Sequence, residues 1–357
     1  MVHMMQHSSR SPPLTIGRVS LKDILKIVVV ASSMMARAYS MTTKIPSKAA
    51  SANTSTQQRG GDRSLFVHWF RSDLRLHDNP ALLRTIESAS PGGSGILPLF
   101  CFDPRVFGSE TRSEFGSLKC GPRRARFLLE GVADLRRRLE ERGSGLVVAH
   151  GKPEDVLRTL LNDIDGGPGK RSTVPRVFCQ QEVASEELRV DKAVRSAIGR
   201  DHPQSTTFES VWGSTMYEPT DLPFNGGIQS LPDVFTPFRN KVEKKCEIGK
   251  PLPVPSAGAL ALPADQTVRD VINGGGSSRC SSLSYLPTLE DLGYTAEEVE
   301  GVRKSDPRGV MEFKGGETAA LSRLKDYIWD KDLLKVRETN RMNEQRAVFF
   351  LETQFLF

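Results

Sequence analysis

Leu65-Phe66-Val67-His68-Trp69-Phe70-Arg71-Ser72-Asp73-Leu74-Arg75-Leu76-His77-Asp78-Asn79-Pro80 is the stretch from which the fold is read. Leu65 to Phe70 is apolar on both faces apart from His68, the pattern of a strand buried between two layers. Asn79-Pro80 marks a helix start, an N-cap residue followed by proline at the first helical position. Between them, Arg71, Asp73, Arg75 and Asp78 place alternating charge in a short turn. Internal ion pairs are expected to lock that turn, and a scaffold role is the simpler reading of it than catalysis.

The same alternation continues outward. Strands are expected at Leu65–Phe70, Ile96–Phe102, Gly145–His150, Val177–Gln180 and Thr206–Trp212. Helices are expected at Asn79–Ser88, Pro122–Arg142, Pro153–Asn162 and Ser185–Ile198. In the long helix, Phe127, Leu128, Val132, Leu135 and Leu139 recur at spacings of three and four. Strands separated by helices of this length form parallel βαβ units. The fold class is therefore α/β, a doubly wound parallel five-stranded sheet over residues 63–217. Residues 218–309 are rich in Pro, Gly and Ser and read as a connector, helical only at Leu231–Cys246 and Leu289–Arg303. From Val310 helical periodicity returns, with Ala320, Leu321, Leu324, Ile328, Trp329 and Leu333 on one face.

Charge separates the first segment from the rest. The chain of 357 residues has 49 Lys/Arg and 43 Asp/Glu. Eight of the basic residues and one acid fall in residues 1–61, which leaves 41 basic and 42 acidic beyond them. The folded part is near neutral and gives no charge argument for nucleic acid. Residues 1–62, rich in Ser, Thr, Met and Arg, have the composition of an organellar transit peptide, for chloroplast or mitochondrion. The apolar run Ile24–Ala31 is too short to span a bilayer, and no membrane partner is expected. Cys101, Cys120, Cys179, Cys246 and Cys280 are odd in number and scattered, so neither a disulfide framework nor a metal site is expected.

Generic catalytic signatures are missing. GxxxxGK[ST], GxGxxG after the first strand, a serine nucleophile elbow and HExxH are all absent, so no catalytic residue follows from spacing. Taken as sequence alone, Glu130 is an ordinary acid on a helix surface. Trp69, Trp212 and Trp329 read as core residues.

The motifs nevertheless resemble a known family, the photolyases and cryptochromes. Trp69-Phe70-Arg71-Ser72-Asp73-Leu74-Arg75-Leu76-His77-Asp78-Asn79-Pro80-Ala81-Leu82 resembles its first strand and turn. Cys101–Arg105, Arg126–Glu130, Gly151–Glu154, Trp212–Tyr217 and Leu231–Arg239 are similar to the DASH-type cryptochromes, and Gly315–Ala320 to the entry of the flavin domain. The resemblance implies an N-terminal α/β domain, a connector, and a helical domain that holds FAD. It implies an antenna folate, methenyltetrahydrofolate, contacted by Glu130. It also implies light-driven repair of cyclobutane pyrimidine dimers, preferentially in single-stranded DNA, or blue-light reception. Where the family continues with YKETRNG, this chain reads Val336-Arg337-Glu338-Thr339-Asn340-Arg341-Met342 and lacks the tyrosine. Residues 310–357 are therefore expected to be an incomplete start of the flavin domain with a divergent tail, which would leave a folate- or partner-binding module without photochemistry, or an inactive splice or gene-model fragment.

Overall fold

The computed structural model describes residues 63–90, 94–165, 173–201, 206–225, 230–275, 282–304 and 313–331, all within the unit Gln58–Phe357. The segment 1–62 expected to be a transit peptide, the Gly-rich tract beyond Gly275, Leu333, the Val336–Met342 divergence and the apolar tail lie outside the described residues.

Five parallel strands form one sheet: β1 (Arg63–Phe70), β2 (Ile96–Phe102), β3 (Val147–His150), β4 (Thr173–Gln180) and β5 (Thr207–Val211). Their order across the sheet is β3-β2-β1-β4-β5. Alternate side chains of each strand point to opposite layers. Phe66 and Phe70 with Ile96, Phe100, Phe102, Val148 and Phe178 meet α1 (Pro80–Ala89) and α2 (Pro122–Glu140). Leu65, Val67 and Trp69 with Leu97, Leu99, Val147, Ala149 and Val177 meet α3 (Pro153–Ile164) and α4 (Ser185–Asp201). Burial on both faces is why the strands read as continuous apolar runs.

Two prolines mark where pairing is incomplete. Pro98 lies one residue before β2 begins to pair with β3 at Leu99–Val147, and Pro175 one residue before β4 pairs with β5 at Arg176–Thr207. Each lacks an N–H where the outer neighbour has no ladder yet, so neither costs the sheet a bond.

The helix ends follow their caps. Asn79 Oδ1 accepts the Leu82 N–H at 3.0 Å, fixing the start of α1. Asp78, just before it, takes a left-handed backbone (φ 53°). Its N–H donates to Leu252 O at 3.0 Å and its carboxylate accepts the Leu252 N–H at 2.9 Å, so the turn grips the connector.

The connector is more ordered than its composition suggests. Its first helix, α5, starts at Phe235 and ends at Lys245. A short helix not expected from the sequence, α6 (Gln266–Asp270), is capped by Asp265 and runs into a π-turn at Val271–Gly275. Val268, Val271 and Ile272 bury against the α3–α4 side of the sheet. The expected helix Leu289–Arg303 is confined to α7 (Ala296–Arg303), because Gly293 turns the chain with φ 91° and Thr295 then caps with a reciprocal Glu298 box. Arginines of α2 tie the connector down. Arg126 donates to Val302 O at 3.1 Å, and Arg136 donates to Tyr285 O. After the connector, α8 (Glu317–Lys325) continues into a π-turn, Asp326–Asp330.

Two further sequence expectations change. Arg71 does not pair inside the turn; it reaches Asp191 on α4, and only Arg75 bonds Asp73 (2.9 Å), with Asp78 at 3.7 Å. Trp69 is buried, but Trp329 is 38% exposed and is not a core residue.

Candidate functional site

The chain builds β1, β2 and β3 outward in one direction, then crosses back to place β4 on the other side of β1. In such sheets the crossovers diverge at that reversal, and a crevice opens beyond the carboxyl ends of the two central strands. The structure has a cleft of about 1150 Å³ there.

Its floor is polar and comes from the residues that leave β1 and β4. Ser72 Oγ donates to Glu182 at 2.8 Å, the Asp73 N–H donates to Gln180 Oε1 at 3.1 Å, and Gln180 Nε2 donates to Ser214 Oγ at 2.8 Å. Burial raises the Glu182 carboxyl above its ordinary range, against the opposing pull of Ser72 and Arg71. One wall is α2, through Phe127, Leu128 and Gly131, and a second is α8, through Gly316, Glu317, Ala320 and Leu321. At the mouth Lys119 meets Glu186 at 3.0 Å. Arg105 lies across Asp103 (2.6 Å) and Glu154 (2.9 Å), which orders the exit of β2. An apolar wall over a polar floor with bound-in carboxylates suits a flat heterocycle carrying N–H donors. Among the described residues no group of three or more His, Cys, Asp or Glu is placed to hold a metal ion, and no helix is long and apolar enough to cross a membrane.

Glu130, the site residue singled out from the sequence, does not line this cleft. It projects from α2 beside the cleft-lining Gly131, and its side chain is 31% exposed. Glu130 Oε2 accepts the Gly315 N–H at 2.8 Å, and Oε1 lies 3.4 Å from Arg126 Nε. The carboxylate thus helps seat α8 on α2, while lone pairs remain open on its exposed side. Ser72, Gln180, Glu182 and Ser214 went unnoticed in the sequence. Their signal is positional: they lie at or just beyond the ends of β1, β4 and β5, and it becomes readable only with the strand order.

Comparison with known proteins agrees with this architecture. The family model described as DNA photolyase matches residues 66–256. The chain is 39% identical over 273 residues to a cryptochrome DASH of Gloeobacter violaceus, covering 76% of this chain and 46% of that protein. It is 38% identical over 290 residues to the chloroplastic/mitochondrial cryptochrome DASH of Arabidopsis thaliana, covering 81% and 43%. The crystal structure of a Synechocystis cryptochrome superposes with a TM-score of 0.59 at 32% identity, over 78% of this chain and 49% of that one. The chain spans a little under half the length of the curated relatives it matches.

Proposed function

The chain belongs to the DNA photolyase family, on its DASH-cryptochrome branch, and on that premise we propose that its α/β domain is a light-harvesting module that binds methenyltetrahydrofolate. The observation that carries this reading is the Glu130 carboxylate. It is fixed in place by the Gly315 N–H, keeps acceptor capacity toward solvent, and adjoins the apolar α2 wall. A carboxylate so held fits the paired N–H donors of an aminopyrimidinone edge, and pre-positioning spares it rotamer entropy on binding. When bound, the folate would supply absorption of near-ultraviolet and blue light. The chain's own residues would orient the ring: Glu130, next to the cleft-lining Gly131, would hold its polar edge, and Phe127 and Leu128 of α2 would exclude water from its face.

We extend the family's activity to this protein as the wider proposal: FAD-dependent, light-driven repair of cyclobutane pyrimidine dimers, preferentially in single-stranded DNA, or blue-light reception. The counterpart of the flavin-contacting YKETRNG motif, Val336–Met342, lies outside the described residues, so the chemistry argued for this chain stays with the α/β domain. The composition of residues 1–62 and the chloroplastic/mitochondrial names of the plant relatives support import into one of those organelles. A fluorescent fusion of the full chain that stayed in the cytosol would dismiss that part.

The binding proposal is tested by titrating the purified chain with methenyltetrahydrofolate and following its absorbance together with tryptophan fluorescence. Saturable one-to-one binding is expected. Glu130→Gln is expected to weaken it about tenfold, the worth of one charge-assisted hydrogen bond exchanged for a neutral one. Absence of binding by the wild-type chain sinks the module reading, and equal affinity of the two proteins removes Glu130 from the site.

A further inference from the structure

We propose that the connector helix α5 carries a binding face for single-stranded nucleic acid, with Phe235 as the platform on which a base stacks and Lys244 and Lys245 as the phosphate contacts.

The helix is held to the domain by a narrow strip. Of its eleven residues only Val242 is buried. Phe235, Phe238 and Val242 recur at spacings of three and four and share one face. Burial fails toward the N-terminal end of that face, where Val234 is 61% and Phe235 69% exposed. The other end is closed by Cys246, whose N–H donates to Val242 O at 2.8 Å and whose Sγ–H donates to Asp221 O at 3.2 Å.

An aromatic ladder fixes the exposed ring. Phe224, buried ahead of the helix, stacks on Phe238 with centroids 5.7 Å apart and planes 8° apart. Lys241 Nζ lies 4.5 Å over the Phe224 ring. Phe238 in turn meets Phe235 at 6.3 Å, tilted by 33°. The ladder thus begins in the interior and ends in water. Its outermost ring is already ordered by its neighbour, so a base that stacks on it costs little side-chain entropy.

Charge identifies what the ring receives. Arg239, Lys241, Lys244 and Lys245 share α5 with a single acid, Glu243, in a chain whose residues beyond 61 are near neutral as a whole. Glu243 lies 3.9 Å from Arg239. Lys244 and Lys245 are exposed and form no ion pair among the described residues. A second copy of the chain docked here would set these cations against their own counterparts, and a purely apolar partner would leave them unmatched. A single strand satisfies both features, since its unpaired bases offer flat faces and its phosphates offer charge. Lys244 and Lys245 follow Phe235 by about 14 Å along the helix axis, a distance that a short strand spans. This face lies on the connector and is independent of folate in the cleft and of any flavin chemistry.

Fluorescence anisotropy with the full chain tests the face, using labelled strands of about twelve nucleotides: an oligothymidylate, an oligouridylate and an abasic strand of equal charge. The basic residues of 1–61 add a similar electrostatic attraction to all three, so the readout is the difference between probes. Wild type is expected to bind both base-bearing strands about tenfold more tightly than the abasic one, because neither contact reads a 2′-hydroxyl. Phe235→Ala, at an exposed position, is expected to abolish that gap and leave abasic binding unchanged. Lys244→Gln with Lys245→Gln is expected to weaken all three and to reduce the slope of log affinity against log salt by about 1.4, two phosphates at about 0.7 each. Equal binding of base-bearing and abasic strands by wild type, a gap that survives Phe235→Ala, binding of only one of the two sugars, or a salt slope unchanged by the lysine variant would overturn the proposal. So would a concentration-dependent dimer in sedimentation that Phe235→Ala abolishes, which would give the face to a second copy.

Discussion

Gly315 donates its backbone N–H to the Glu130 carboxylate at 2.8 Å, joining α8 to α2 across 185 residues of sequence. The residue proposed for folate recognition is therefore also a structural acceptor, and its variants must be chosen to separate the two roles. Glu130→Gln keeps an acceptor oxygen for Gly315 and loses only the charge. Its unfolding free energy in urea is expected to stay within about 1 kcal/mol of wild type. Glu130→Ala leaves the Gly315 N–H unpaired and is expected to cost about 1–2 kcal/mol. Equal stabilities of the two variants would mean that the hydrogen bond contributes nothing.

Glycine positions give a sharper contrast. Gly315→Ala drives a Cβ to 2.0 Å from Phe127 O and 2.9 Å from Gly131 N, both backbone atoms of α2 that have little room to shift. A loss of roughly 2–3 kcal/mol is expected. Gly301, in α7, has nothing within 4 Å of its would-be Cβ, so Gly301→Ala should gain about 0.5–1 kcal/mol by narrowing the unfolded ensemble. Urea midpoints of both variants check the pair, and a gain at Gly315 would contradict the α2–α8 packing.

The Arg71–Asp191 pair closes β1 onto α4, with side chains only 7% and 10% exposed, and the guanidinium also lies 4.6 Å over the Trp69 ring. Asp191→Ala strands a buried cation and is expected to cost about 3–5 kcal/mol. Removing both charges, as Arg71→Met with Asp191→Leu, should recover much of that loss, since desolvation of the pair disappears with it. A double variant no more stable than Asp191→Ala in urea would locate the cost in packing instead of charge.

Much of this fold is legible in the sequence because buried parallel strands leave continuous apolar runs. Pro80, Pro122 and Pro153 likewise mark helix starts directly. What stayed hidden depends on distance along the chain. Arg71 reads as a partner for its neighbours until α4 brings Asp191 closer. β4 begins at Thr173, four residues ahead of expectation, because Pro175 and Arg176 hide a strand whose outer partner starts late. The Gly315–Glu317 motif is recognisable by resemblance, but its grip on Leu76 and His77 spans some 240 residues. Glu130 is singled out by resemblance alone, and its role as acceptor for the Gly315 N–H is not legible from the sequence. The polar floor of the cleft needs the strand order, which no local pattern contains.

His68 carries the acid response. It lies on β1, 2% exposed, and burial lowers its pKa from 6.5 to about 3. Thr85 Oγ1 donates its only proton to Ala81 O at 2.8 Å, so the 2.7 Å contact with His68 must have Nδ1–H as donor, a neutral imidazole held in one tautomer. Between the two pKa values the unfolded chain binds a proton that the folded chain refuses. Stability therefore falls as pH drops below 6.5 and stops falling from this source near pH 3. The slope is about 1.4 kcal/mol per pH unit once well below 6.5, or roughly 2–3 kcal/mol lost by pH 4.5. His68→Phe keeps an aromatic ring edge-on to Phe70 (4.4 Å in the native pair) and leaves the Thr85 hydroxyl bonded to Ala81. Carboxylates titrate alike in both proteins, so the difference between their unfolding free energies isolates the imidazole. That difference should be nearly flat from pH 8 to 7 and shift toward the variant by roughly 2–3 kcal/mol at pH 4.5. A difference that stays flat down to pH 4.5 would mean that His68 protonates in the folded core, which its burial against Phe70 and Thr85 opposes.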